Sequence, residues 1–324
     1  MESQTLTHTN AFSLTLKASE LAQALQVQSH QSTVSPWLIF DVSYDLSDAA
    51  WGRAQFEHLH VVGARYVDLH DDLSAVGDVM AINGGRHPLP TRDHFARWMA
   101  AQGITPDTQV VAYDRNGMNF CARLWWMLQW CGHHKVAVLD GGLKAWQDAG
   151  GQTTSSDNPP QALPPSRGAF ALEPYALGAP LVPLRDQRHV LDHLGHGDQT
   201  LIDARGKPRY LGLQEPLDPI AGHIPGALNR PFTENFDEQG FFKPKDQLRA
   251  EFEALLAGQD PLTVVHHCGS GVSAVPNILA MELAGLGRTA LYAGSWSEWS
   301  RTPGLPVQTS TPKETGAADT QSSR

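Results

Sequence analysis

Cysteine is scarce in this chain. Three occur in 324 residues, at Cys121, Cys131 and Cys268, too few for a disulfide framework in a chain of this size. If Cys121 and Cys131 share one helix they stand about 15 Å apart along it, out of bonding range. An odd, low count suits a reducing compartment. Positive charge is also in deficit: 24 Lys and Arg face 34 Asp and Glu, a formal net charge of -10. That balance argues against a general nucleic-acid-binding protein, which needs a basic face. No run of about 18 apolar residues exists to span a membrane. The stretch from Met1 to Leu16 lacks a basic segment followed by an apolar one, so no secretory leader is expected. Cytoplasm is the expected location.

The residues present describe a globular chain. Hydrophobic residues at 41% and charged residues at 18% are sufficient to bury real cores. The length exceeds one ordinary domain and suits two. Pro- and Ser-rich sequence after Gly150, including Pro159-Pro160 and Pro164-Pro165, reads as an exposed linker. The sequence divides into a first block over 12–149, a linker over 150–180, a second block over 181–303 and a tail over 304–324. The tail is polar and aperiodic and is expected to be disordered.

The two blocks repeat each other. Leu38-Ile39-Phe40-Asp41 matches Leu201-Ile202-Asp203, and Val110 to Asp114 matches Val264 to Cys268. Val138 to Trp146 matches Leu291 to Trp299. The offsets agree, 268 − 114 = 154 and 299 − 146 = 153. Within each block β-rich runs alternate with helical periodicity. Leu262 to Val265 reads as a strand, Ser273 to Leu286 as a helix, and Ala122 to Trp130 as the equivalent helix of the first block. This alternation predicts an α/β fold, a mostly parallel central sheet flanked by helices in each half.

The chemistry concentrates in His266-His267-Cys268-Gly269-Ser270-Gly271-Val272-Ser273. This segment follows a strand and precedes a helix, where open α/β sheets place ligands. Two glycines allow several backbone N–H groups to turn around one atom, and the helix start adds its positive end. Ser270 and Ser273 add hydroxyl donors. A cysteine in such a cradle is expected to react as the thiolate. No lysine follows the glycines, which excludes a nucleotide P-loop. Adjacent strand residues point to opposite faces, so His266, His267 and Cys268 make a poor metal site, and no metal is expected. The sixth residue after Cys268 is Ala274, where a cysteine phosphatase needs arginine. A cysteine hydrolase needs an orienting histidine, and His267 cannot easily face the sulfur. Cys121 and Cys131 read as buried hydrophobes.

With these residues in place the sequence resembles the tandem-domain rhodanese-type sulfurtransferases, the 3-mercaptopyruvate and thiosulfate sulfurtransferase family, over residues 12 to 303. The resemblance rests on Cys268 to Ser273, Gly222 to Leu228, Ile202 to Arg205 and Gly294 to Trp299. In the first block it rests on Gly85 to Pro90, Ala122 to Met127 and Asp140 to Leu143. It implies two tandem rhodanese-like domains, the first non-catalytic because Asp114 stands where the second has Cys268. It implies that Cys268 takes a sulfane sulfur as a persulfide and passes it to cyanide, a thiol or thioredoxin. No metal or organic cofactor is implied. A monomer is expected, since one chain already holds the paired domains.

The resemblance also bears on the donor. The form Cys268-Gly269-Ser270-Gly271-Val272 is similar to mercaptopyruvate-preferring members, with Ser273 in place of their threonine. Arg209 matches the arginine that holds the donor's carboxylate, and Gly269, Ser270, Gly271, Val272 and Ser273 form the surrounding loop. A second arginine carried by many relatives a few residues on is missing from Leu211 to Asp218, and that stretch looks more like the thiosulfate type. His87 is placed to reach across the cleft. Where some relatives carry an acid that completes a Ser270-centred acid–base relay, this sequence has His70, with Asp71 and Asp72 beside it. Arg205 is expected to hold the loop through an internal salt bridge, and Trp296 and Trp299 to be core. The expected donor is 3-mercaptopyruvate ahead of thiosulfate, with a non-catalytic sulfur-relay module as the alternative from another class.

Overall fold

The computed structural model describes residues 12–30, 37–157 and 173–309. The first half runs β1 (Thr15–Leu16), α1 (Ala18–His30), β2 (Trp37–Asp41), α2 (Trp51–His58), β3 (His60–Val61), β4 (Arg65–Tyr66), α3 (Arg92–Ala101), β5 (Gln109–Tyr113), α4 (Cys121–Trp130), β6 (Val136–Leu139), α5 (Gly142–Asp148) and β7 (Thr153–Thr154). The second runs β8 (Leu184–Arg185), α6 (Gln187–Asp192), β9 (Thr200–Asp203), α7 (Lys207–Tyr210), β10 (Leu228–Asn229), α8 (Lys245–Leu256), β11 (Val264–His267), α9 (Val275–Leu283), β12 (Ala290–Tyr292) and α10 (Ser295–Trp299).

Each half builds one five-stranded sheet. The orders are β1-β6-β5-β2-β4 and β8-β12-β11-β9-β10, and every neighbouring pair is parallel. Replacing each first-half strand by its counterpart turns one order into the other, so the repeat seen in the sequence is a repeat of topology. The central strands β5 and β11 are buried along their whole length, as strands covered on both faces must be.

Helix α4 is buried at every position from Cys121 to Trp130. Apart from Arg123 and Gln129 the helix is apolar all round, as suits the inside of a structure, and α4 lies between its own sheet and α9 of the other half. One apolar cluster therefore crosses the domain boundary, from Trp125 and Trp126 to Ile278 and Leu279, and it includes Cys268. The two remaining clusters lie one in each half.

The element limits shift for local reasons. The helix expected over 273–286 spans Val275–Leu283: Pro276 sits in its first turn, a favoured place, and Gly285 (φ +71°) and Gly287 (φ +91°) follow its end. The strand expected at Leu262 starts at Val264, because Pro261–Thr263 form a short 3₁₀ turn capped by Asp260. Both ends of the expected linker pack on the first domain, through Ser156 N–H to Glu57 O (2.8 Å) and Tyr175 N–H to Ala96 O (3.1 Å). Its middle, 158–172, lies outside the described residues. Residues 304–309, assigned to the tail from the sequence, run back along the second domain, where Gln308 and His223 exchange backbone hydrogen bonds of 2.8 and 3.0 Å. The tail beyond them, 310–324, lies outside the described residues. Among the described residues no helix is long and apolar enough to cross a membrane.

Candidate active site

Cys268 stands one residue beyond β11, in the loop that enters α9. It is 2% exposed. Its backbone is clamped by α10: the Cys268 N–H donates to Ser295 Oγ (3.1 Å), its carbonyl accepts from the Trp296 N–H (3.0 Å), and the Gly269 carbonyl accepts from the Ser297 N–H (2.8 Å). Gly271 has φ +75°, and a Cβ there would lie 2.2 Å from the Ala293 carbonyl oxygen. Both the conformation and the space therefore demand glycine. Val272 is buried, its carbonyl accepting from the Val275 N–H at 3.0 Å, and Ser273 is half-buried at the helix entrance.

The first domain shows what this loop geometry is for. Asp114 occupies the position of Cys268 and is almost fully buried, at 2% exposure. Its Oδ1 accepts from the N–H groups of Asn116 and Met118, both at 2.9 Å. Its Oδ2 accepts from those of Phe120 (2.8 Å) and Cys121 (3.0 Å). Burial pushes the Asp114 carboxyl up, and the same four amides pull it down. The loop is an anion cradle filled by its own side chain. Moving the four donors by 154 positions reaches the amides of Ser270, Val272, Ala274 and Val275, in a loop that holds a thiol where the carboxylate stands; of these the Val275 N–H is already given to the Val272 carbonyl.

Residues of both domains surround the Cys268 loop. His87 Nδ1 lies 2.8 Å from Ser270 Oγ. Burial first, then the neighbouring charges of Arg123, Arg86 and His70, push this imidazole down to about 3. It is therefore a neutral ring that can exchange a hydrogen bond with the serine hydroxyl. The nearby carboxylates are spent locally. Asp68 accepts from the N–H groups of His70 and Asp71, and Asp72 accepts from the Asp68 N–H and from Trp98 Nε1.

Arg209 lies at the end of α7 and is held by Glu215, with Nη2 to Oε1 at 2.6 Å and Nε to Oε2 at 3.2 Å; Asp218 is 3.4 Å away. Arg86, from the first domain, forms an ion pair with the same Asp218, and its backbone N–H donates to Ser297 Oγ (3.1 Å). A Cβ on Gly269 would meet Arg86 Nη2 at 2.8 Å and Arg209 Nη1 at 3.5 Å. Two guanidinium groups thus lie over the residue that follows Cys268. Leu211 to Asp218 supplies no arginine of its own. It supplies the carboxylates that aim Arg209 and Arg86. Arg205, as expected, grips Asp203 through Nη2 (2.6 Å) and Nε (3.1 Å) and lies 4.7 Å over the Trp296 ring. Trp296 and Trp299 are fully buried. Among the described residues no group of three or more His, Cys, Asp or Glu could hold a metal ion.

A model of the rhodanese-like domain matches residues 18–149 and again 186–302. The chain belongs to the tandem rhodanese-domain sulfurtransferases. It is 41% identical over 291 residues to the probable 3-mercaptopyruvate sulfurtransferase of Pseudomonas aeruginosa, covering 89% of this chain and 98% of that protein. It is 34% identical to the 3-mercaptopyruvate sulfurtransferase of Mus musculus, over 78% of this chain and 84% of that one. Identity is also 34% to the thiosulfate sulfurtransferase of Rattus norvegicus, over 81% and 84%. Among solved structures, the 3-mercaptopyruvate sulfurtransferase from Leishmania major superposes with a TM-score of 0.71 at 29% identity, over 89% of this chain and 74% of that one. The enzyme is a sulfurtransferase of the 3-mercaptopyruvate/thiosulfate type.

Sequence reasoning missed three residues that surround this sulfurtransferase's Cys268 loop. Arg86 stands beside His87 in the Gly85-Arg86-His87-Pro88 run, and that adjacency is the signal that could have flagged it. Ser295 takes φ +55° at the counterpart of Gly142, where the first domain has glycine at φ +58°. Arg123 sits within a helix that otherwise reads as packing.

Proposed function

We propose that this sulfurtransferase takes its sulfur from 3-mercaptopyruvate, with Cys268 as the nucleophile. The Cys268 thiolate attacks the donor sulfur, and the carbon–sulfur bond breaks. The electron pair leaves as the enolate of pyruvate, which takes up a proton. The sulfur stays on Cys268 as a persulfide. An acceptor thiolate or cyanide then attacks the outer sulfur, and the Cys268 thiolate leaves. Splitting the transfer through a covalent intermediate is nucleophilic catalysis with ping-pong kinetics. The amides of Ser270, Val272 and Ala274 suit a thiolate before attack and a persulfide anion after it. Arg86 and Arg209 hold the donor's carboxylate, and Ser270, polarised by His87, offers a hydrogen bond to its carbonyl oxygen.

The observation that carries this reading is the pair of guanidinium groups over Gly269, one from each domain. A planar carboxylate one residue from the nucleophile suits such a pair. Thiosulfate is the second reading, because two guanidinium groups also match a dianion. Steady-state kcat/KM for the two donors, measured side by side with dithiothreitol and cyanide as acceptors, separates them. Preference for thiosulfate overturns the donor assignment. Retained turnover in Cys268→Ser overturns the nucleophile.

A further inference from the structure

Four arginines surround the Cys268 loop, and three of them are matched by carboxylates. Arg205 pairs with Asp203 and Glu215, Arg209 with Glu215 and Asp218, and Arg86 with Asp218. The fourth is Arg123 of α4, whose side chain has no exposed surface. It makes no ion pair among the described residues. Nη1 donates to the Gly271 carbonyl (3.1 Å), Nη2 donates to the His87 (3.2 Å) and Leu73 (3.4 Å) carbonyls, and Nε has no partner. A buried charge ordinarily comes with a counter-ion. This one is met only by carbonyl dipoles.

We propose that Arg123, from the domain without the cysteine, is the positioning residue that holds the catalytic cradle open and supplies the unmatched positive charge that a negative sulfur at Cys268 neutralises. The inference rests on Cys268 being the nucleophile. Two lines of geometry carry it. A peptide unit is planar and trans, so its C=O and N–H point opposite ways. Pulling the Gly271 carbonyl toward Arg123 turns the Val272 N–H the other way, and Val272 is the counterpart of Met118, whose N–H binds the Asp114 carboxylate in the first domain. The same guanidinium fixes the His87 carbonyl, which places the ring that meets Ser270. The charge argument agrees. Burial pushes Arg123 down to about 10, and Cys268 is the group whose negative charge pushes it back up. Arg123 is therefore charged at neutral pH, and the anion it lacks in the free enzyme arrives when the thiol ionises or carries sulfur.

The charged groups that act on Cys268 are Arg123 from α4 and Arg205 from the β9 side, the latter paired with Asp203 and Glu215; Arg86 and Arg209, both paired with Asp218, lie over the adjacent Gly269, and the neutral His87 meets Ser270. Since the other three arginines have carboxylates, removing Arg123 should change the field most. The test is the pH midpoint for alkylation of Cys268 by iodoacetamide, followed by mass spectrometry of its peptide, in the intact enzyme and in R123Q and R123K. Expected in R123Q is a midpoint raised by about one pH unit, a factor of about ten in reactivity at fixed pH, with kcat falling more than KM changes. R123K keeps the charge and loses the fork, so its midpoint stays near wild type while kcat falls. An unchanged midpoint in folded R123Q, or equal shifts in both variants, would overturn the proposal. Should R123Q fail to fold, R123M removes the charge without burying a new amide and carries the same alkylation test: a raised midpoint is expected, and an unchanged one overturns the proposal. Alkylation does not require turnover, so failure of the nucleophile assignment shows separately, as activity retained in Cys268→Ser.

Discussion

Asp114→Asn asks whether a side-chain anion holds the first domain's loop together. Each Asp114 oxygen accepts two backbone N–H groups, at 2.8–3.0 Å. Asparagine keeps one oxygen and turns an amide toward the other two donors, leaving them buried without an acceptor. An orphaned buried donor costs about 1–3 kcal/mol, so two cost about 2–6 kcal/mol. Relief of the carboxylate's own burial, which pushes Asp114 up, offsets part of this and favours the lower half of that range. The loop has little slack to absorb the change, since Gly117 (φ +69°) and Met118 (φ +57°) are both left-handed and Met118 carries a Cβ that disfavours that conformation. Urea unfolding followed by tryptophan fluorescence reads the effect directly, because Trp125, Trp126 and Trp130 lie on the helix that leaves this loop. A loss below about 1 kcal/mol would refute the view that the carboxylate is the structural anion of the cradle.

Other perturbations test the cleft and the core. Arg209→Ala and Arg86→Ala should each raise the mercaptopyruvate KM by about 10- to 150-fold with kcat less affected, the equivalent of one charged hydrogen bond at about 1.5–3 kcal/mol; an unchanged KM moves carboxylate binding elsewhere. Gly271→Ala should destabilise by about 2–5 kcal/mol, combining about 1–2 for the left-handed backbone with about 1–3 for the clash with Ala293 O, and a thermal melt within a degree of wild type would contradict that geometry. Burial pushes His87 and His266 down to about 3 and His133 and His267 down to about 4, so the folded state keeps all four neutral. Their contribution is complete above pH 6.5, where the unfolded chain is neutral too. As pH falls from 6.5 toward 4 the unfolded chain takes up the protons, and each histidine removes about 1.4 kcal/mol per pH unit. Urea midpoints at pH 7.5 and 5.5 should therefore differ by about 4–6 kcal/mol in stability, and equal midpoints would place these rings in contact with solvent.

The parts of this enzyme that were legible in its sequence are those set by neighbouring residues. The Gly269 and Gly271 spacing announced a tight loop because φ at Gly271 and the approach of Ala293 leave no alternative, and the repeat announced the shared topology because each half needs the same alternation to bury its sheet. The place of Arg209 beside Gly269 was legible from a local motif. Arg86 was not, because its meaning depends on Asp218, 132 positions away (218 − 86 = 132). Arg123 was hidden for a related reason. The apolar residues around it mark a core helix, and nothing local says that the core continues into a second domain whose Gly271 carbonyl lies in reach. The ends of α9 shifted because proline and glycine placement decided them where apolar periodicity ran on.

The way the cleft is divided also constrains how the gene can change. The half that carries Asp114 provides Arg86, His87 and Arg123 around the loop that carries Cys268 in the other half. A fragment carrying only the second domain would hold a cysteine without its grip or its relay, so selection on one chemical step acts on both copies at once. If Cys268 is the nucleophile as proposed, damaging substitutions in this enzyme should scatter along nearly the whole chain, with a cluster in the copy that carries Asp114 in its place. On that proposal the duplicate is a component of its sister's mechanism, and it cannot drift as a spare.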